Sequence, residues 1–143
     1  MSARHGVAYR LSAPLRFLWA LPGSVIGFLL GAFSFALPRY DEGTLVFESR
    51  VGFAALLKRV GYTAITLGQV IVVHDRLIPS LRAHEREHVR QWMLGGPLFA
   101  VAYHAEGFRQ LVTGHRYYKD NRFEVRARVA ADRLMAGRQS PWR

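Results

Sequence analysis

The sequence contains no cysteine. A disulfide scaffold, a cysteine nucleophile and a thiolate metal site are therefore excluded, and any metal must be held by nitrogen and oxygen ligands. Acidic residues are scarce: ten Asp and Glu stand against twenty Lys and Arg, giving a formal net charge of +10. Charge of either sign is missing altogether from residues 17–38. There is no internal repeat, so solenoid and propeller architectures drop out. Apolar material is plentiful by contrast. Half of the 143 residues are hydrophobic, enough for one modest core and too many for a disordered basic tail.

The charge-free run from Phe17 to Pro38 reaches the roughly 20 residues that a spanning helix needs. Pro22, Gly23, Ser24, Gly27 and Gly31 interrupt it. Three arrangements fit: a single transmembrane helix kinked at Pro22, an interfacial or re-entrant helical hairpin broken at Leu21-Pro22-Gly23, and a secretory signal ending at Ser34-Phe35-Ala36. Length favours the first, and the run exceeds the ~7–15 apolar residues of an ordinary signal. All three bring the chain to a membrane. Three arginines precede the run and seventeen Lys or Arg follow it, so the positive-inside argument pulls both ways and leaves sidedness open. The chain thus divides into an amino-terminal arm with a membrane segment, residues 1–38, and a folded domain, residues 39–143.

Residues 39–78 read as β-rich. Thr44-Leu45-Val46-Phe47 and the run Ala64 to Val73 carry the β-branched enrichment of strands. Asp41-Glu42-Gly43 is a turn before the first, and Gly68 marks a bulge in the second. A short helix over Val51 to Val60 separates them, and an antiparallel pair is the economical arrangement. Helical patterns follow. One runs from a cap at Asp75 or Ser80 to about Leu94, halted by Gly95-Gly96. Pro97 suits the first turn of a second, Leu98 to Val112. Asn121 caps a third that ends near Gly137, with the last six residues frayed. The fold class is therefore α+β, a short antiparallel β-element packed on three helices.

The sharpest chemical signal is His84-Glu85-Arg86-Glu87-His88. Two histidines four residues apart stand one helical turn apart, so both imidazoles reach one zinc ion, while the glutamate next to the first is placed to take a proton from water. At about 100° per residue, His84, Glu85 and His88 share an arc with Leu81, Val89 and Trp92, and Arg86 and Arg90 fall outside it. A catalytic zinc takes a third protein ligand. The candidates are His74, His104, Glu106, His115, Asp120 and Glu124. Glu124 shares a helix face with Ala127, Ala131 and Met135, whose small alanines permit close approach to the histidine helix. Asn121-Arg122-Phe123-Glu124 equally matches a capping box, in which Glu124 would reach back to the helix start instead. Local pattern alone leaves that choice open. Tyr117, Tyr118 and His115 are candidates for stabilising an oxyanion, although loop tyrosines more commonly pack and hydrogen-bond.

The segments Ala83 to Gln91, Gly96-Pro97-Leu98-Phe99 and Tyr118 to Glu124, together with Leu21-Pro22 and the Gly68 strand, resemble small bacterial membrane-associated zincin-like proteins, or minimal gluzincins. The resemblance runs from Trp19 onward. It implies a zincin-like core behind the apolar segment, Zn²⁺ held by His84, His88 and Glu124, Glu85 as general base, and residence at the bacterial inner membrane. Two positions depart from that pattern: the pair inside the motif is Arg86 and Glu87, usually uncharged, and Arg122 stands where a proline is expected.

The basic residues are densest in the stripe Arg122, Arg126 and Arg133. Beside a membrane segment such a face attracts anionic lipid headgroups, about 1 kcal/mol for each residue near the surface. A merely solvated face ranks second. Nucleic acid ranks last, since no recognition motif accompanies the charge. The expectation is a membrane-associated zinc-dependent hydrolase acting on a peptide or protein. The alternative is a non-catalytic accessory subunit of a membrane protein complex that keeps the same fold.

Overall fold

A computed structural model describes residues 3–138, with side chain environments for residues 13–137. The frayed end expected beyond Gly137 lies outside that description, as do the side chains of Arg4 and Arg10. The architecture is α+β, with a four-stranded mixed sheet and five helices among the described residues.

Helix α1 (Ala3–Ala32) runs unbroken through Pro14 and Pro22. The helical hairpin is therefore not formed: a proline removes one backbone donor, and the flanking turns hold the helix together. Strand β1 (Arg39–Asp41) turns at Glu42-Gly43 into β2 (Thr44–Ser49). Both turn residues have positive φ, 44° and 87°, the two-residue loop that matches strand twist. Helix α2 (Gly52–Arg59) follows where a short helix was expected.

The run from Ala64 to Val73 is two strands, not one. Strand β3 (Ala64–Leu67) pairs antiparallel with β4 (Val70–His74), and Gly68, at φ 61°, opens the turn between them. A continuous β-branched run hides a reversal when one glycine at positive φ suffices to make it. The expected bulge at Gly68 is thus a hairpin turn. Strand β4 also lies parallel to β2, in register Leu45 with Val70 through Ser49 with His74. The expected antiparallel pairing of these two runs is therefore corrected. The sheet order is β1-β2-β4-β3.

Parallel central strands need both faces covered, and alternate residues supply each face. Phe47, Val70 and Val72 pack with Ala54 and Leu57 of α2. Val46, Ile71 and Val73 pack with Val89 of helix α3 (Pro79–Gly95) and with Leu81 and Met93. Helix α3 begins on Pro79 after an extended Ile78 that makes no side-chain cap. Neither Asp75 nor Ser80 caps it: Asp75 pairs with Arg50, and proline at the first helical position removes one of the donors a cap would serve. Gly96, at φ 52°, links α3 to helix α4 (Pro97–Val112). Helix α5 (Arg122–Arg138) packs along α3.

Helix α1 docks on this assembly through its small residues. Ala20 is fully buried in a cluster with Trp92 and Phe99. A Cβ added at Gly23, Gly27 or Gly31 would collide with Trp92, Val70 or the Phe47 ring respectively. Ser24 accepts the Gln69 backbone N–H at 2.9 Å. Its other face, Leu15, Leu18, Val25, Ile26, Leu29 and Phe33, is exposed. The 20 residues Ala13–Ala32 have a mean hydropathy of 1.5, long and apolar enough to cross a membrane.

Candidate metal centre

Helix α3 places His84 and His88 one turn apart, and their Nε2 atoms lie 3.2 Å from each other. Glu124 reaches them from α5, with Oε2 at 3.1 Å from His84 Nε2 and Oε1 at 3.3 Å from His88 Nε2. The helix start explains why the carboxylate is free to do so. Asn121 Oδ1 accepts the Phe123 backbone N–H at 3.1 Å, and Asn121 Nδ2 donates to the Tyr103 carbonyl at 2.9 Å. The cap is thus satisfied without Glu124, and the reciprocal half of the capping box is not made. Ala127, fully buried, sits one turn further on the same face and lets α5 approach α3.

Among the described residues, His84, His88 and Glu124 form the one group of three or more metal-ligating side chains that converge, their donor atoms within 4.8 Å of one another. The spacing can be tested against coordination chemistry. Ligands of a tetrahedral ion at about 2.0–2.1 Å stand about 3.3 Å apart. The two Nε2 atoms are 3.2 Å apart, and each faces its own Glu124 oxygen, Oε2 at 3.1 Å and Oε1 at 3.3 Å, so the carboxylate straddles the pair. Glu124 Oε2 is buried and accepts no hydrogen bond, leaving a lone pair without a donor. Around the triad, Gln91 Oε1 lies 2.9 Å from His88 Nδ1, and Gln91 Nε2 donates to the Phe123 carbonyl at 3.3 Å. With the proton on Nδ1, the His88 lone pair lies on Nε2, towards Glu124. The Tyr103 hydroxyl donates to Glu124 Oε1 at 2.6 Å. A two-imidazole, one-carboxylate donor set of this kind could hold a metal ion.

Glu85 is 4% exposed, and its Oε2 accepts the Thr66 hydroxyl at 2.6 Å. Burial raises its pKa, opposed by the nearby His88 and His84 and by the Thr66 hydroxyl. For Glu124, burial pushes upward too, but the two imidazoles and Tyr103 outweigh it and hold the carboxyl well below its ordinary value. Burial would lower His88, yet Glu124 and then Glu85 raise it. Tyr103 and Tyr118 are both raised by burial and by the Glu124 charge, so both phenols stay protonated donors.

The four motif residues line one cavity of about 360 Å³, walled by Leu57, Val60, Ile65, Trp92, Phe99 and the tyrosines. Tyr117 and Tyr118 are on its wall, and Tyr117 is hydrogen-bonded to His104. His104 lines the same cavity without joining the triad, and the remaining ligand candidates lie elsewhere. His115 contacts Thr113, Asp120 pairs with Arg116, and Glu106 is held by Arg109 and Gln110. His74 has a buried, unpartnered Nδ1 at the end of β4, outside the triad.

The charged pair inside the motif has a structural cause. Arg86 pairs with Glu42 and reaches the Asp41 and Glu42 carbonyls, while Arg82, one turn earlier, forks onto Asp41. Both clamp the β1–β2 turn on the flank of α3 away from the triad. Glu87 is taken by Arg90. Thr66 and Tyr103 escaped the sequence reading because each touches the motif only through the fold. Gln91 lies three residues after His88 on the same helix, a contact that helical spacing alone could have found. The site is thus defined by its donors, a buried two-histidine, one-carboxylate set beside a second buried glutamate. No family model, curated protein or solved structure matches the chain.

Proposed function

We propose that this protein is a membrane-associated zinc-dependent hydrolase of the metallopeptidase kind, resident at a bacterial inner membrane, with a zincin-like core. The observation that carries the reading is the convergence of the His84, His88 and Glu124 donor atoms within 4.8 Å of one another with a buried Glu85 lining the same cavity. His84, His88 and Glu124 hold the ion. A bound Zn²⁺ supplies Lewis acidity towards water and the substrate carbonyl. Glu85 accepts the proton of the attacking water as its oxygen bonds the carbonyl carbon, then passes it to the departing amine as the C–N bond breaks. With no ion bound, burial raises the pKa of Glu85. Thr66 fixes one oxygen of Glu85. The apolar wall around Trp92, Phe99 and Ile65 excludes water and favours an apolar substrate side chain.

Metal analysis of protein purified without chelator is expected to give about one zinc per chain. His84→Ala should abolish it, and a metal-free wild type would sink the proposal. Glu85→Gln is expected to keep the zinc and lose turnover on a panel of apolar peptides. One observation favours a second reading, a non-catalytic accessory subunit of a membrane complex. Glu85 is already hydrogen-bonded by Thr66, as a purely structural carboxylate would be. Under that reading Glu85→Gln changes stability and nothing else.

A further inference from the structure

A helix with no charge on its outer face is normally either inside a core or inside lipid. Helix α1 is half of each. Its inner face is pressed against the domain from Ala20, clustered with Trp92 and Phe99, to Gly31, against Phe47. Ser34, two residues past the helix end, still accepts the Ala54 backbone N–H. At 1.5 Å per residue that contact extends over about 20 Å. A bilayer core is only about 30 Å thick. If α1 stood across it, most of the sheet would be carried into hydrocarbon alongside. That sheet is open: β1 and β3 are its edges, and Arg39, Asp41 and Glu48 ride on β1 and β2. Unpaired strand edges facing lipid do not occur within the hydrocarbon region.

We infer that α1 lies in the plane of one membrane face, a monotopic helix whose outer residues Leu15, Leu18, Val25, Ile26, Leu29 and Phe33 enter one leaflet while its inner face carries the domain. The inference rests on the reading of the charge-free run as a membrane segment, and adds how that segment sits. Helix α4 presents a second exposed apolar face. It starts where Gly96 meets the Trp19 ring, and Leu98, Val101, Ala105, Phe108 and Val112 are exposed at helical spacing. The occupant of this surface is a lipid leaflet. In-plane helices of this kind bury an apolar face ~5–10 Å deep at the headgroup boundary. The cavity is then held beside the leaflet, since Trp92 and Phe99 wall it on one side and cover Ala20 on the other.

The absence of cysteine makes the test direct. Ala13→Cys and Leu37→Cys place single thiols at the two ends of the apolar segment, both at exposed positions. The full chain is expressed in bacterial inner membranes, and right-side-out and inverted sealed vesicles are treated with an impermeant maleimide. Labelling of both thiols in one preparation and neither in the other supports the in-plane arrangement. Labelling of the two from opposite sides overturns it while leaving membrane residence intact. Failure of the chain to sediment with membranes overturns both. In a second arm, the double variant Val101→Glu, Phe108→Glu is mixed with phosphatidylglycerol–phosphatidylcholine vesicles. With helix content and zinc loading unchanged, vesicle partitioning is expected to fall about tenfold or more. Unchanged partitioning, or loss of a self-associated oligomer instead, removes α4 from the lipid surface.

Discussion

At the residue scale, the candidate ligands are held by hydrogen bonds from neighbouring side chains. The Tyr103 hydroxyl fixes the Glu124 carboxylate, and partners of this kind typically contribute 10–100-fold to metal affinity. Tyr103→Phe is therefore expected to weaken zinc binding by about that factor, measured by competition with a chelating dye, while the fold persists. Thr66 acts on the other glutamate. Its hydroxyl lowers the Glu85 pKa against the upward push of burial, so Thr66→Val should raise that pKa further. The acidic limb of the pH–rate profile then moves to higher pH with zinc content unchanged; a profile that stays put would remove Glu85 as the titrating base. The metal-free pair has its own pH window. Glu124 sits below its ordinary 4.5, so its stabilisation is present above that value and fades as pH falls through the depressed one. His88 sits above its ordinary 6.5, so its share is complete below 6.5 and is lost as pH rises through the raised value. The contribution of this pair to the stability of the chelator-treated protein, read by melting, should therefore be greatest between about pH 4.5 and 6.5 and decline on both sides, with the raised Glu85 acting against it as pH rises.

At the scale of elements, the histidine helix, the two helices after it and the short helix α2 were legible because each is marked by its own residues: Pro97 and Gly96 at a junction, Asn121 at a cap. The convergence of His84 and His88 was legible for the same reason, since four-residue spacing is a local fact. The sheet was not. Gly68 and Gln69 hide a reversal inside an unbroken apolar run, and the parallel alignment of β2 with β4 depends on the path through α2 and β3, which no short window contains. Glu124 stood between two roles until Asn121 was seen to satisfy the helix start alone. The small residues of α1 read as interruptions of an apolar run, yet each is a place where another part of the chain comes close. Gly31 is the strictest, because an added methyl would fall 2.3 Å from the Phe47 ring. Gly31→Ala gains helix propensity of about 1 kcal/mol but overpacks a buried aromatic contact, which costs typically ~1–3 kcal/mol. A net loss of stability is expected, read as a lower urea midpoint. A gain would mean that α1 does not rest on the sheet at Phe47.

At the scale of the whole molecule, two ligands come from α3 and one from α5, so a bound ion fastens the carboxy-terminal helix to the centre of the domain. Free zinc at about a hundred times its dissociation constant is expected to stabilise the fold by about 2.7 kcal/mol. Hydrogen exchange along α5 should slow when the metal is added. The amino-terminal helix reaches the same centre by another route. Gly23 leaves no room beside Trp92, where an added Cβ would lie 2.7 Å from the ring. The Trp92 indole donates to the Thr66 carbonyl, and the hydroxyl of that same threonine steadies Glu85. An unbroken line of contacts thus joins the outermost helix to Glu85. Soap micelles that loosen the helix from its seat are expected to silence turnover while the ion stays bound, so solubilised preparations can look dead for mechanical reasons alone.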